Sequence, residues 1–282
     1  DLPKKRKPWE EVKLPVDALL LTVKDCEFLS CVSYLNSGFF RSNHITLGDV
    51  YFGEIGHGTK VALKVCEMGA GGPGGSAVAV QNAVKVLKPK VVFFVGFCGG
   101  LNERKLKLGD VVVLTKLMAY GPAKVTESKT EYRGVRVVLD RDLLNMVQSA
   151  AHGWEAPLTT TDERKSVTVH NGPFLTGSQV VDSKKRRDEL TKVFPDALAI
   201  EMEAEGLYQA AHDLKIEWGV IKGVSDFANG RKSNTDFWRP FASVMAASLT
   251  AHILDDPVIF QDWKNFESPE EKKQRLSQCV FL

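Results

Sequence analysis

The run Val91-Val92-Phe93-Phe94-Val95-Gly96 has no polar side chain at either parity of the chain. A strand with one face in water alternates apolar and polar residues, so a strand apolar at every position must be covered on both faces. That requirement excludes a two-layer sheet with a wet face and calls for helices packed on both sides of a mainly parallel sheet. The flanking segments agree. Ser76–Lys88 reads as a helix with Ser76 at its N-cap, and Ala77, Val80, Val84 and Leu87 form one stripe. Pro89 ends it, and FCGGLN reads as the loop leaving the apolar strand.

Similar alternation runs along the chain. VDALLLTV, from Val16, reads as a buried strand, and ITLGDVYFGEIG with KVALKVCEM as a hairpin-like pair. GDVVVLTKLMAYG reads as a strand and loop, residues 140–152 as a helix, and TVHNGPFLTGSQVV as a strand and loop. KKRRDELTKVF reads as a polar helix and Phe241–Leu254 as a last helix. Strands alternating with helices give an α/β domain, whose ligands sit beyond the strand C-terminal ends. The loops at 69–75, 96–100, 176–181 and 225–230 would share that edge.

Two carboxylates stand where carboxylates are uncomfortable. At about 100° per residue, Glu203 falls inside the apolar arc of Ile200, Ala204, Leu207, Ala210, Ala211 and Leu214, with Glu201, Glu205, Tyr208 and His212 opposite. Asp226 follows the apolar strand IEWGVIKGVSD. An ionised group pays several kcal/mol for burial unless partners offset it, so both acids are active-site candidates. Two blander readings stand beside these. The helix could begin later, leaving Glu203 as an N-terminal carboxylate favoured by the dipole, and Asp226 could cap a turn, since DFANG is turn-like.

Gly69, Gly71 and Gly74 match G-x-G-x-x-G after a strand and before a helix. The next strand ends without the acid that would hold a ribose, so a Rossmann dehydrogenase is poorly supported. The absence of G-K-[ST] excludes a P-loop. What remains is either backbone N–H groups offered at a helix start to an anion or hydroxyl, or a close-packed turn.

Composition narrows the classes. A net charge of +2 gives no bulk bias toward nucleic acid. Five cysteines, an odd number without a CxxC pair, argue against a disulfide framework or a zinc site and for a reducing compartment. No apolar run approaches membrane-spanning length and no secretory signal is visible. Neither a cofactor nor a metal is expected. Residues 1–15 read as a basic leader or linker, 16–256 as the domain and 257–282 as a tail. A start at Asp1 reads as a fragment or processed chain.

Taken together, VGFCGGLN with GDVVV a few residues on, then GPFLTGSQVV, AIEMEAEGL and GVSDFAN resemble the nucleoside phosphorylase/nucleosidase superfamily, nearest its nucleosidase branch. The match runs from about Val16 to Leu254. It implies a three-layer α/β/α domain around a mixed, partly barrelled sheet, and a purine nucleosidase acting on a methylthioadenosine-, adenosylhomocysteine- or ATP-like substrate. It implies roles as well. Asp226 is the acid at purine N7 and must be protonated to donate, while Ser225 orients it. Glu203 grips the ribose hydroxyls over the apolar surface of Met202. Glu27, in TVKDCEF, matches more loosely the carboxylate that activates water. Lys222 stands where nucleosidases carry an arginine near the water. Cys98, Gly99 and Val181 line the base pocket.

Departures from the family pattern matter. Phe97 replaces the serine or threonine that holds phosphate in phosphorylases, which favours hydrolysis. Val180 stands where methylthioadenosine nucleosidases stack a phenylalanine on adenine. Trp238 falls near the aromatic over the 5′ side of the sugar, and Arg239 follows it. Arg41, His44, Arg231 and Lys232 lie in loops that could face the phosphates of a nucleotide. GAGGPGGSA also looks like nucleosidase modules attached to immune or NACHT-type proteins, some of which cleave ATP. Two other activities stay open, a phosphate-dependent purine nucleoside phosphorylase and a non-catalytic nucleotide-sensing module. The resemblance further implies a homo-oligomer, dimer or hexamer, in an intracellular and chiefly cytoplasmic setting. PKKRKP resembles a nuclear localisation signal, against the plainer reading of a solvated linker. Cys279-Val280-Phe281-Leu282 matches a prenylation box, with basic residues just upstream, so a membrane partner is expected only if Cys279 is modified.

Overall fold

The structure, a computed structural model, describes residues 2–149, 152–160, 166–255 and 257–273. In chain order the strands are β1 (Arg6–Lys7), β2 (Ala18–Thr22), β3 (Phe40–His44), β4 (Gly48–Ile55), β5 (Thr59–Val65), β6 (Val91–Gly100), β7 (Val111–Ala119), β8 (Ala123–Val125), β9 (Thr130–Tyr132), β10 (Arg136–Val138), β11 (Val169–Thr176), β12 (Ala199–Glu201) and β13 (Glu217–Asp226). The described α-helices are α1 (Asp25–Val32), α2 (Ser76–Leu87), α3 (Arg141–Ser149), α4 (Lys184–Val193), α5 (Ala204–Leu214) and α6 (Trp238–Asp255).

Eleven strands form one mixed sheet in the order β1-β3-β4-β5-β2-β6-β12-β11-β7-β10, and β13 bridges β6 and β7. The pairings β6-β12-β11-β7-β13-β6 close a ring, which is the partly barrelled sheet expected. The sheet is mixed because β12 runs antiparallel to β6 and β13 antiparallel to β7. Every residue of β2 is buried, as is every residue of β6 except Phe97. Helix α6 packs on β13 and β6, α1 packs on α6, and α2 packs on α5. A Cβ at Gly223 of β13 would lie 2.1 Å from the Ala242 carbonyl oxygen, so α6 and β13 approach as backbones. Helices α2 and α5 both stop at a lysine in the left-handed conformation, Lys88 and Lys215, whose N–H groups cap the last turns.

Several sequence expectations change. FCGG belongs to β6 and not to a loop, because β13 and β12 pair with it to its end. Gly75, not Ser76, is the N-cap of α2; Ser76 opens the helix with its hydroxyl on the Glu203 carbonyl, and Ala77 is only half-buried. FRSNH is a strand, and AIE is a strand that delays α5 to Ala204. The later helix start is therefore correct, and the helical arc misplaced Glu201, which is buried. The N-terminal segment is not a free leader. Strand β1 pairs in parallel with β3, Arg6 is bidentate to Asp49, and Trp9 stacks against His44 and Phe52. Past Asp255, Phe260 and Phe266 are buried, and Asn265 bonds the Val16 and Lys88 carbonyls. The prenylation box at Cys279 lies outside the described residues. Among the described residues no helix is long and apolar enough to cross a membrane.

Candidate active site

A cavity of about 230 Å³ opens at the C-terminal ends of β6 and β13. The β2–α1 turn supplies Val23 and Lys24, and the first turn of α1 supplies Glu27; Met68 precedes the glycine loop. The end of β6 gives Phe97, Cys98 and Gly99, and the loop after β11 gives Gln179, Val180 and Val181. Ile200, Glu201, Met202 and Glu203 come from β12 and its exit, Lys222 and Asp226 from β13, then Lys232 and Arg239. The strand-end edge read from the loops is thus where the cavity lies.

Glu27 is the third residue of α1. Its Oε2 accepts the Val23 and Lys24 N–H groups at 2.7 and 2.9 Å, and Oε1 accepts the Phe97 N–H at 3.0 Å. Satisfying orphan amides at a helix start is what a glutamate at this position does. Here the same carboxylate also ties α1 to β6. A Cβ at Gly96 would fall 1.9 Å from Oε1, so glycine is required there for Glu27 to fit.

Lys222 is 1% exposed, with Nζ 3.6 Å from Glu27 Oε1, 3.9 Å from Glu203 Oε2 and 4.6 Å over the Phe94 ring. Burial pulls the ammonium pKa down, but Glu27, Glu203 and Glu201 together carry it above its ordinary value, so the charge stays. Glu203 is the N-cap residue of α5, yet its side chain makes no capping bond. Its Oε1 instead accepts the Gly69 N–H at 3.1 Å. The glycine loop is packed only at its end, at Gly74 and Gly75, while Gly71 and Gly72 are exposed; the Ser76 and Ala77 amides, at the start of α2, donate back to the Gly69 and Ala70 carbonyls. The Gly69 amide serves the Glu203 carboxylate.

Asp226 is buried at the end of β13. Its Oδ1 accepts the Ala228 N–H at 2.9 Å, its Oδ2 the Ser225 hydroxyl at 3.1 Å, and Lys232 Nζ lies 3.5 Å from Oδ2. Ser225 Oγ also reaches the Cys98 carbonyl, which fixes the aspartate rotamer to β6. The turn beyond is held by Arg187 of α4, which donates to the Phe227 carbonyl and to Glu103. Ala228 sits in the left-handed region, at φ 51°, a conformation that costs a residue with a Cβ about 1 kcal/mol and is kept where surroundings enforce it. Burial pushes the Cys98 thiol up, so it stays neutral, and its carbonyl is the group in use.

The structure brings together Glu27, Phe97, Cys98, Gly99, Val180, Val181, Met202, Glu203, Lys222, Asp226 and Arg239, with Ser225 behind Asp226. Others stay out. Trp238 is not among the lining residues; it packs edge-on against Phe241 and beside Phe237. Arg41 is spent on the Lys4 carbonyl and Asp49, and His44 on Trp9. Arg231 precedes a short 3₁₀ turn, whose Lys232 does line the cavity. Arg239 lies over the Phe97 ring at 5.4 Å and pairs with Asp236. Sequence reasoning missed Val23, Lys24, Met68, Gln179, Ile200 and Glu201. Of these, Glu201 carried a signal, the alternation of apolar and acidic residues in AIEME.

With this geometry in view, comparison with known proteins is direct. The phosphorylase superfamily model matches residues 27–255. The chain belongs to the phosphorylase superfamily. One relative, the death domain-containing ATP nucleosidase of Amphimedon queenslandica, is 29% identical over 271 residues, which cover 90% of this chain and 51% of that protein. The 5′-methylthioadenosine/S-adenosylhomocysteine nucleosidase of Staphylococcus aureus (strain JH9) is 26% identical over 160 residues, 55% of this chain and 64% of that one. This superfamily member thus spans about half to two thirds of the curated relatives it matches. The crystal structure of the Neisseria meningitidis nucleosidase of the latter kind superposes with a TM-score of 0.71 at 23% identity, covering 85% of this chain and 98% of that one. It shares the α/β fold with a partly closed sheet.

Proposed function

We propose that this domain is a purine nucleosidase, hydrolysing the N-glycosidic bond of a purine nucleoside or nucleotide. The observation that carries the reading is the convergence of Glu203 and Asp226, from two elements, on one cavity walled by Cys98, Gly99, Val181 and Ile200. Breaking an N-glycosidic bond leaves a sugar cation, so the departing base needs a proton, the cation needs negative charge nearby and water needs a base. Asp226, oriented by Ser225, serves the base at N7. Glu203, charge-paired with Lys222, holds the ribose hydroxyls over Met202. Glu27 lies beside Lys222 and takes the water. Phe97 leaves no hydroxyl to hold phosphate, which favours water as the acceptor.

The 5′ side divides the substrate classes. Lys24 and Arg239 line the cavity away from Asp226, and cations there suit a phosphate chain better than a thioether, whereas Lys232 lies at the base end, 3.5 Å from Asp226 Oδ2. The relative whose printed name is an ATP nucleosidase supports the same preference. The reading includes a homo-oligomer, dimer or hexamer, testable by sedimentation, and an intracellular setting where such nucleotides occur.

The deciding experiment is chromatography after incubation with adenosine, inosine, methylthioadenosine, adenosylhomocysteine, AMP and ATP, each with and without phosphate. Free purine without phosphate is expected. Strict dependence on phosphate would replace hydrolysis with phosphorolysis. Saturable binding with no product would make the domain a nucleotide sensor.

A further inference from the structure

Glu201 is the cavity acid for which the proposed reaction has no use. It ends β12 and is 6% exposed. Its Oε2 accepts the backbone N–H of Glu203 at 2.8 Å and of Ala204 at 2.9 Å. A helix start leaves amides that need an oxygen, and the N-cap side chain ordinarily provides it. In α5 the N-cap is Glu203, whose carboxylate is turned away to Gly69 and Lys222. The Glu205 amide, which a capping side chain would take, goes to the Thr176 hydroxyl at 3.3 Å, and Glu201 satisfies the two amides before it.

We propose that Glu201 is a positioning residue for the ribose clamp: by accepting the Glu203 and Ala204 amides it fixes the backbone at the start of α5, and with it the direction in which the Glu203 carboxylate faces the sugar hydroxyls. The inference rests on the nucleosidase reading of Glu203.

Burial holds Glu201 toward its neutral form. Its Oε1 is buried without a hydrogen-bond partner of good geometry, with the Thr176 hydroxyl alongside. The titratable groups facing it are Glu203, Lys222 on β13, Cys98 on β6 and Tyr120 beyond β7. Burial first, then Glu203, push its pKa up to about 7, against the pull of Lys222. Gly69 and Lys222 address Glu203, whereas Oε1 of Glu201 faces the interior. Above neutrality a second negative charge enters beneath the clamp, and the grip on ribose weakens.

The test compares the parent chain with Glu201→Gln, which keeps the acceptor and cannot ionise, and Glu201→Ala, which removes it. In the parent, KM for a nucleoside rises as pH passes about 7, while affinity for free adenine, which lacks ribose, stays level. In Glu201→Gln that rise is absent. In Glu201→Ala, KM is raised about fivefold at every pH, the cost of a lost acceptor at a helix start, with kcat changed less. The same alkaline rise in Glu201→Gln, or an unchanged KM in Glu201→Ala, would overturn the proposal. A ligand-free arm works even without turnover. A carboxyl whose pKa is raised on folding stabilises fully below its unfolded value of 4.5, and loses that contribution as pH rises to about 7. The Tm advantage of Glu201→Gln over the parent should therefore grow across that interval and then level off. A difference independent of pH refutes the neutral acid. Absence of purine release from the parent refutes the nucleosidase reading instead and leaves the thermal arm to judge Glu201.

Discussion

Lys222 shows how one residue organises a charged cavity. A lone ammonium in the interior is expensive, and so are Glu27 and Glu203; placed 3.6 and 3.9 Å apart from it, they offset one another. Removing one partner from such a set costs more than the set contributes, because the remaining charges stay buried. Lys222→Met is expected to destabilise the domain by about 3–5 kcal/mol, read as a Tm drop of roughly 6–20 °C in a thermal melt. Asp226 belongs to a different category, since an amide there can still accept from the Ala228 N–H and donate to the Ser225 hydroxyl, losing only the Lys232 contact. Asp226→Asn should lower kcat by about 10²–10⁴ while nucleoside binding, followed by calorimetry, changes only a few-fold. A parallel loss of binding would show that Asp226 is structural. Asp226 was legible in the sequence as an acid after an apolar strand, and Lys222 only through the family resemblance. Glu201 was not, because a helical angle was applied to a strand residue.

At the scale of elements, the site depends on how closely backbones approach. Gly96 gives Glu27 its seat, and Gly223 lets α6 lie on β13 beside Lys222. A Cβ at 223 meets main chain, which cannot swing aside as a flexible side chain can. Gly223→Ala is therefore expected to cost about 1–3 kcal/mol through overpacking and to lower activity by displacing Lys222. Gly71→Ala is the control: a Cβ there meets nothing within 4 Å, so a thermal melt should change by no more than about 0.5 kcal/mol equivalent. The glycine loop illustrates what spacing alone conveys. G-x-G-x-x-G correctly marked a tight strand-to-helix turn, but the amide at Gly69 goes to Glu203 and those at Ser76 and Ala77 return to the loop. Only the course of α5 past that turn decides the partner.

At the scale of the molecule, β1 and the turn after it cover the β3 edge of the eleven-stranded sheet. Exposed strand edges invite pairing with other chains. Deleting residues 2–12 should leave purine release intact, lower Tm by about 2–8 °C and increase self-association in light scattering; an unchanged melt would make the segment a passive tail. The basic run Lys4–Lys7 is engaged in that edge, and binding it as an extended peptide requires β1 to leave the sheet. The sequence by itself determined the α/β class, the order of most strands and helices, and the motifs bearing Glu203 and Asp226, because burial on both faces and turn chemistry are written locally. Only the tertiary structure decided that β13 would bridge β6 and β7 into a closed ring, that Trp238 and Arg41 would stay out of the cavity while Lys24 and Lys232 entered, and that Glu201 would sit beneath Glu203. The ring depends on β13 pairing with residues more than a hundred positions away, and even Arg41 is held by the Lys4 carbonyl, 37 positions back; local periodicity holds no record of which distant backbone fills the adjacent place in the sheet.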